Sequence, residues 1–250
     1  IPYSKNCSCR TLLAKDKVLI EDNLKSYEVK QYRVFLKTSE VQKHFQYVVQ
    51  NSGVVVFKNG FARDRGAVVK VDRTNFYELD NSFYQKPCKL NSFCGASVLI
   101  RKDIFEKFGG FDKSFFMYYE DVDLSLKLIR ANLQILYEPQ SVVYHIHTGS
   151  SEEWSPLFVF NVEKNRLAVL IKHFPIGVFC KEAVFYLILY AVSILKMIKW
   201  RLKENWSVFE ECEERVRCRT RVISWLLINL FSLLGKRFVI NKKEKIKRDF

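Results

Sequence analysis

No C-x-x-C pair occurs among the seven cysteines, Cys7, Cys9, Cys88, Cys94, Cys180, Cys212 and Cys218. Their odd number fits reduced thiols better than a disulfide framework, and Cys7-x-Cys9 lacks the second pair that a zinc site needs. No helix-turn-helix, RNA-recognition or zinc-finger pattern accompanies the basic charge, so nucleic acid is not the expected partner. The chain starts at Ile1 and shows no signal-peptide series, which reads as a piece of something longer. There is no internal repeat. Long apolar runs are missing as well. Residues 183–195 and 222–235 are the strongest, and each makes about 20 Å of helix against the roughly 30 Å of a hydrocarbon core.

What is present belongs to a folded chain. Across 250 residues, 48% are hydrophobic and 15% aromatic, enough for a sizeable core. The net charge of +14 is uneven: residues 196–250 hold 15 Lys and Arg against 7 Asp and Glu. Basic charge beside apolar segments points to an anionic membrane surface. Between the two apolar runs, Glu211 and Arg215, then Glu213 and Arg217, stand at i,i+4 on an expected solvent-facing helix. The apolar segments are expected to lie in the bilayer interface, with Lys196, Lys199, Arg201, Lys236 and Arg237 reaching lipid. The alternative is that they pack as core helices.

Residues 1–49 show no sustained period and read as the remnant of a preceding region. Strands are expected at 54–57, 97–100, 134–137 and 142–145. A helix capped by Asp103-x-x-Glu106 should stop at Gly109-Gly110. Another should begin near Asp121, with Leu124, Leu128 and Ala131 on its apolar face. The resulting class is α/β. Residues 50–175 would form this α/β part and 176–250 a helical tail.

The chemistry concentrates in Phe116-Met117-Tyr118-Tyr119-Glu120-Asp121-Val122-Asp123-Leu124. Three carboxylates at a helix start can simply cap free N–H groups and meet the positive dipole end. The aromatic approach from Phe115 to Tyr119 offers a second role, since burial raises carboxylate pKa values and suits a general base. Further on, His145 and His147 would share one face at the exit of a strand, where structural histidines and metal ligands both occur.

In order, the chain carries Gln50-Asn51-Ser52-Gly53, Gly60, Asp64-Arg65-Gly66, Cys94-Gly95-Ala96 and Leu99-Ile100-Arg101. Then come Gly109-Gly110-Phe111-Asp112, Phe115 to Leu124, Tyr137-Glu138-Pro139, His145, Gly149-Ser150-Ser151 and Asn165-Arg166-Leu167. This series, over about half the chain, resembles the acceptor half of family 2 glycosyltransferases of the rhamnosyl- and galactofuranosyl-transferase type. The resemblance implies an incomplete GT-A domain and an inverting transfer from a nucleotide sugar to a glycan or polyprenol-linked acceptor. The setting would be cell-wall polysaccharide synthesis at the cytoplasmic face of the membrane. It assigns the catalytic base to Asp121, with Glu120 orienting the site. Substrate contacts fall to Cys94, Gly95, Ala96, Tyr119, Asp123 and Arg166. A divalent metal, Mn²⁺ or Mg²⁺, would be held at His145.

The sequence departs from that family where its metal-binding Asp-x-Asp should stand. The only such pattern, Asp121-x-Asp123, already fills the base position. The nucleotide-binding half is therefore expected to be missing, and the chain alone to be inactive. Two other readings differ in class. One is a non-catalytic membrane-bound partner that keeps only acceptor recognition. The other is a metal-dependent hydrolase using His145 and His147, for which the four histidines provide too few ligands.

Overall fold

The computed structural model describes residues 13–14, 17–18, 48–69, 75–79, 82–143 and 155–248. Its strands are short and pair antiparallel throughout the described residues. β1 (Leu13–Ala14) pairs with β2 (Lys17–Val18). β3 (Val48–Val49), β7 (Asn75–Leu79) and β6 (Ala67–Val69) make a three-stranded sheet in that order. β4 (Val54–Val56) pairs with β5 (Ala62–Asp64), and β8 (Cys88–Leu90) with β9 (Ile135–Tyr137). Helix and strand are mixed as expected, but the described strands build four small antiparallel sheets rather than one layer crossed by helices.

The expected strand at 97–100 is absent: these residues form a turn and an irregular exposed segment, with Leu99 99% exposed. Its apolar side chains have no strand to pair with. Residues 142–143 are not strand either, and 144–145 lie outside the described residues. α1 (Lys102–Lys107) forms where expected, without its capping box. Asp103 turns back to Arg101 at 3.0 and 2.6 Å instead of capping. Gly110, with φ 59°, closes the helix against the Phe105 ring, which a Cβ there would meet at 2.9 Å.

α2 (Glu120–Arg130) buries Leu124 and Leu128 with Phe93 and Ile135, while Ala131 is its C-cap. A buried hydroxyl pair, Ser92 to Ser125 at 3.1 Å, ties the segment just after β8 to this helix. α3 (Pro156–His173) starts on a Ser155 cap and a proline, and its 161–172 stretch is almost wholly buried.

α4 (Ile176–Leu202) and α5 (Trp206–Arg248) absorb the two apolar runs into much longer helices of 27 and 43 residues. The charged stretch between the runs is no separate helix; it is the first part of α5. Glu213 and Arg217 pair there at 2.8 Å, and Glu211 pairs with Arg215. α3 and α5 run parallel, with Phe160 under Arg221 and Trp225 under Lys164. α4 runs antiparallel to α5: Arg201 stacks on Phe209, and Tyr190 bonds Thr220 at 3.0 Å.

Candidate active site

The segment leading into α2 is bent in a way that side chains disfavour. Phe116, Tyr118 and Tyr119 all have positive φ, at 61°, 66° and 68°. Such residues cost on the order of 1–3 kcal/mol each and persist only where surrounding structure holds them. Here the holder is α3. The fully buried Asn165 amide donates to the carbonyls of Phe115, Met117 and Tyr118 at 3.0, 2.8 and 2.7 Å. Lys164 adds a bond to the Ser114 carbonyl at 3.2 Å. Tyr119 serves as the N-cap of α2, and its hydroxyl accepts from the Ala62 N–H at 3.1 Å, fastening the bend to β5. Burial pushes that phenol up to about 12.

The bend delivers Glu120 and Asp121 to one spot. Asp121 Oδ2 accepts from the Gly95 N–H at 2.9 Å, and Oδ1 from Val122 N–H at 2.7 Å. Burial raises the Asp121 carboxyl above its ordinary range, against the pull of those two N–H groups. Burial, and then the Asp121 charge, raise Glu120 too. Glu120 Oε2 is buried without a hydrogen-bond partner, and among the described residues neither carboxylate pairs with a cation. Gly95 and Ala96 are exposed beside them. A Cβ at Gly95 would lie 3.6–3.7 Å from Asp121 and Glu120, so the glycine keeps that approach clear. Cys94 is half-buried, and burial pushes its thiol up to about 12, which leaves it protonated. Cys94, Gly95, Ala96, Tyr119, Glu120 and Asp121 are thus brought together. The acids do partly serve their helix, through Val122 N–H, but none of them is its N-cap.

Asp123 and Arg166 point elsewhere. Asp123 is 0% exposed and faces away into the core. Its Oδ1 lies 2.7 Å from His173 Nε2 and 2.5 Å from the Lys172 ammonium. Lys127 stands 2.9 Å from Oδ2, a charge contact without hydrogen-bond alignment. Burial alone would raise this carboxyl, but the His173 bond and the lysine charges outweigh it and hold it well below the usual range. Lys172 also bonds Asp112 at 2.8 Å, and Lys236 from α5 meets the same carboxylate at 2.8 Å. Arg166 is 4% exposed, bonded to Glu182 at 2.9 Å and the Asn59 carbonyl at 2.8 Å, and stacked over Phe61. Both residues therefore act as ties between α2, α3, α4 and the β4–β5 turn. Sequence reading missed the Asn165 clamp and the Lys172–His173 hub. The signals were Asn165 within the Asn165-Arg166-Leu167 motif, whose role was not read, and a pair of basic residues in the last turn of a helix.

His145 and His147 lie outside the described residues. Among the described residues no three imidazole, thiol or carboxylate groups converge as a metal ion would require. The residues in view do not make a metal centre.

With this geometry in hand, comparison with known proteins is informative. A 51-residue stretch is 43% identical to N-acetylglucosaminyl-diphospho-decaprenol L-rhamnosyltransferase of Mycobacterium tuberculosis, over 20% of this chain and 17% of that protein. A 70-residue stretch is 31% identical to rhamnosyltransferase WbbL of Escherichia coli, over 28% of this chain and 26% of that protein. The chain is similar in part to rhamnosyltransferases. The matches span about a sixth to a quarter of those relatives' length. No family model matches the chain, and no solved structure does.

Proposed function

We propose that the chain supplies the acceptor side of an inverting family 2 glycosyltransferase. The hydroxyl of a glycan or lipid-linked acceptor attacks the anomeric carbon of a nucleotide sugar. The bond to the diphosphate breaks, and the hydroxyl proton passes to Asp121. An alcohol holds its proton far above neutral pH, so attack needs a placed base. The observation that carries this reading is a half-buried carboxylate of raised proton affinity, with no cation beside it among the described residues, at the open Gly95–Ala96 edge. The Asp121 charge in turn adds to burial in raising the Glu120 carboxyl beside it. Donor binding and any metal fall to residues outside those described, so the chain needs its nucleotide-binding half for turnover.

The setting we propose is the cytoplasmic face of the cell membrane. α4 and α5 are each long and apolar enough to cross a bilayer by length and composition, and little of either is buried. A hairpin crossing is opposed by their register. The Arg219 guanidinium bonds the Leu189 carbonyl at 2.7 Å, so the apolar run of α4 lies beside the charged start of α5. Eight of the twelve residues 210–221 are charged. Each would cost about 2.5–3.5 kcal/mol at the membrane centre. A surface position avoids that cost. Lys236 and Arg237 cannot reach lipid as the sequence suggested: Lys236 is bound to Asp112, and Arg237 to the carbonyls of Ile171 and Phe174 at 2.7 and 2.6 Å.

The test is Asp121→Asn in the protein joined to its nucleotide-binding half, assayed with a nucleotide sugar and a lipid-linked acceptor. Turnover should collapse with donor affinity kept. Near-normal turnover would place the base elsewhere.

A further inference from the structure

Among the described residues, the end of the α4–α5 hairpin projects past α3. α3 begins at Pro156, about one turn before the Phe160–Arg221 contact. The last turns of α4 and the first of α5 therefore extend beyond it. The turn between them is tightly made. Glu204 adopts φ 54°, the N–H groups of Glu204 and Asn205 bond the carbonyls of Arg201 and Trp200 at 3.1 and 3.2 Å, and Asn205 Oδ1 accepts from Val208 at 3.3 Å. A polar tip would suffice for such a turn. Instead it exposes Leu195 at 65%, Ile198 at 46%, Leu202 at 79% and Trp206 at 55%.

Basic side chains surround this apolar end. Lys199 and Lys203 lie over the Trp200 ring at 5.6 and 5.7 Å, and Arg201 over Phe209 at 5.6 Å. Trp206 meets Phe209 edge-on at 5.8 Å. The charged heads thus lie over aromatic faces at the tip, cations seated on rings whose apolar bodies suit a membrane interface. Residues 196–206 carry Lys196, Lys199, Arg201 and Lys203 against Glu204 alone. One to two turns further along α5, Glu210, Glu211, Glu213 and Glu214 begin the charged stretch.

We propose that this hairpin tip is the membrane-docking element, entering the headgroup layer of an anionic bilayer with Leu202 and Trp206 leading. Lys196, Lys199, Arg201 and Lys203 contact lipid phosphates, and the glutamates of α5 stop entry after about 10 Å, the depth of an interfacial element. Amphipathic rings such as Trp200 and Trp206 favour that layer, with apolar body and polar N–H both accommodated. The proposal rests on the membrane setting proposed above and is independent of the transfer chemistry.

Flotation of the full chain with phosphatidylglycerol–phosphatidylcholine vesicles tests it without any sugar substrate, so its outcome is separable from that of Asp121→Asn. Binding should weaken about fivefold for each basic residue removed. The triple variant Lys199→Glu, Arg201→Glu, Lys203→Glu should therefore lose it at least a hundredfold, and pure phosphatidylcholine should bind poorly. In a Trp154→Phe background, shallow brominated lipid should quench Trp200 and Trp206 and spare Trp225, which is half-buried under Lys164. Leu202→Ser with Trp206→Ser should cut binding at least tenfold, with helix content by circular dichroism unchanged. Full binding by the triple variant, or loss caused instead by Val184→Ser, Ile188→Ser and Val192→Ser, would move the docking face to the outer side of α4. Self-association that disappears in the tip variants would make the tip a protein interface and overturn the proposal.

Discussion

Asp121 and Asp123 stand two residues apart in the first turn of one helix, and the protein treats them in opposite ways. Asp121 meets two backbone N–H groups, no cation among the described residues, and an open edge. Burial leaves it with a raised affinity for protons. Asp123 is more deeply enclosed, yet three basic side chains surround it and its proton affinity falls. Burial is common to both; the partners differ. An unpaired buried carboxylate is costly to the fold and available for chemistry, whereas a paired one is locked and secures helices. One turn of α2 thus holds the candidate base on one side and a structural anchor on the other.

The comparison can be broken at either acid. Asp121→Asn in the complete enzyme should reduce turnover on the order of 10²–10⁴-fold, because the amide cannot accept the proton. Its melting temperature should stay level or rise, since a desolvated charge has gone. A lowered melting temperature would show that Asp121 is an anchor like its neighbour. Asp123→Ala should do the reverse. It leaves Lys172 and His173 uncompensated in the core and should cost about 3–5 kcal/mol in denaturant unfolding, with near-normal turnover per folded molecule.

Asn165→Ala tests whether the bend depends on its clamp. The Met117 and Tyr118 carbonyls would lose the Asn165 donor, at about 1–3 kcal/mol for each group left unsatisfied and buried, while the Phe115 carbonyl keeps the Met117 N–H. Here turnover and loop protection from proteolysis should fall together, and Asn165→Asp should not rescue either, because a carboxylate donates nothing. Unchanged proteolysis of residues 111–119 would mean that the left-handed bend holds itself.

The smallest effect is a separation in pH. As acid is added, Asp121 and its neighbour Glu120 take up protons before Asp112 and Asp123, so kcat/KM should fall at a pH above the ordinary carboxylate range. Asp112 and Asp123 are held below that range by their basic partners. Their stabilisation is complete above about pH 4 and is lost only as pH falls through their lowered values. Activity should therefore vanish while near-ultraviolet circular dichroism still reports a native fold. Coincident loss of both would deny the difference between the two acids. In Asp123→Asn the acid-unfolding profile should flatten, since one titrating anchor has been removed.

Sequence periodicity located α1 and α2 within a residue or two, because their apolar spacing and glycine stop are local properties. It placed Glu120 and Asp121 at a helix start for the same reason. It failed at 97–100, where β-like composition had no partner strand, since pairing depends on residues far along the chain. It also divided one long helix into a polar and an apolar element, because composition changes along α5 while the backbone runs on.

Local chemistry determined, from sequence alone, that three acids would gather behind a row of aromatic residues and that basic charge would accompany apolar helices. Which acid would be free and which bound was decided only when α3 brought Lys172 and His173 to Asp123, some 50 residues away, and left Asp121 facing Gly95. The same holds for the tail: Lys236 and Lys199 are alike in sequence, but only folding sets one against Asp112 and the other at an exposed tip. A carboxylate's proton affinity and a lysine's freedom depend on what lies within a few ångströms, and in this chain those neighbours come from distant segments.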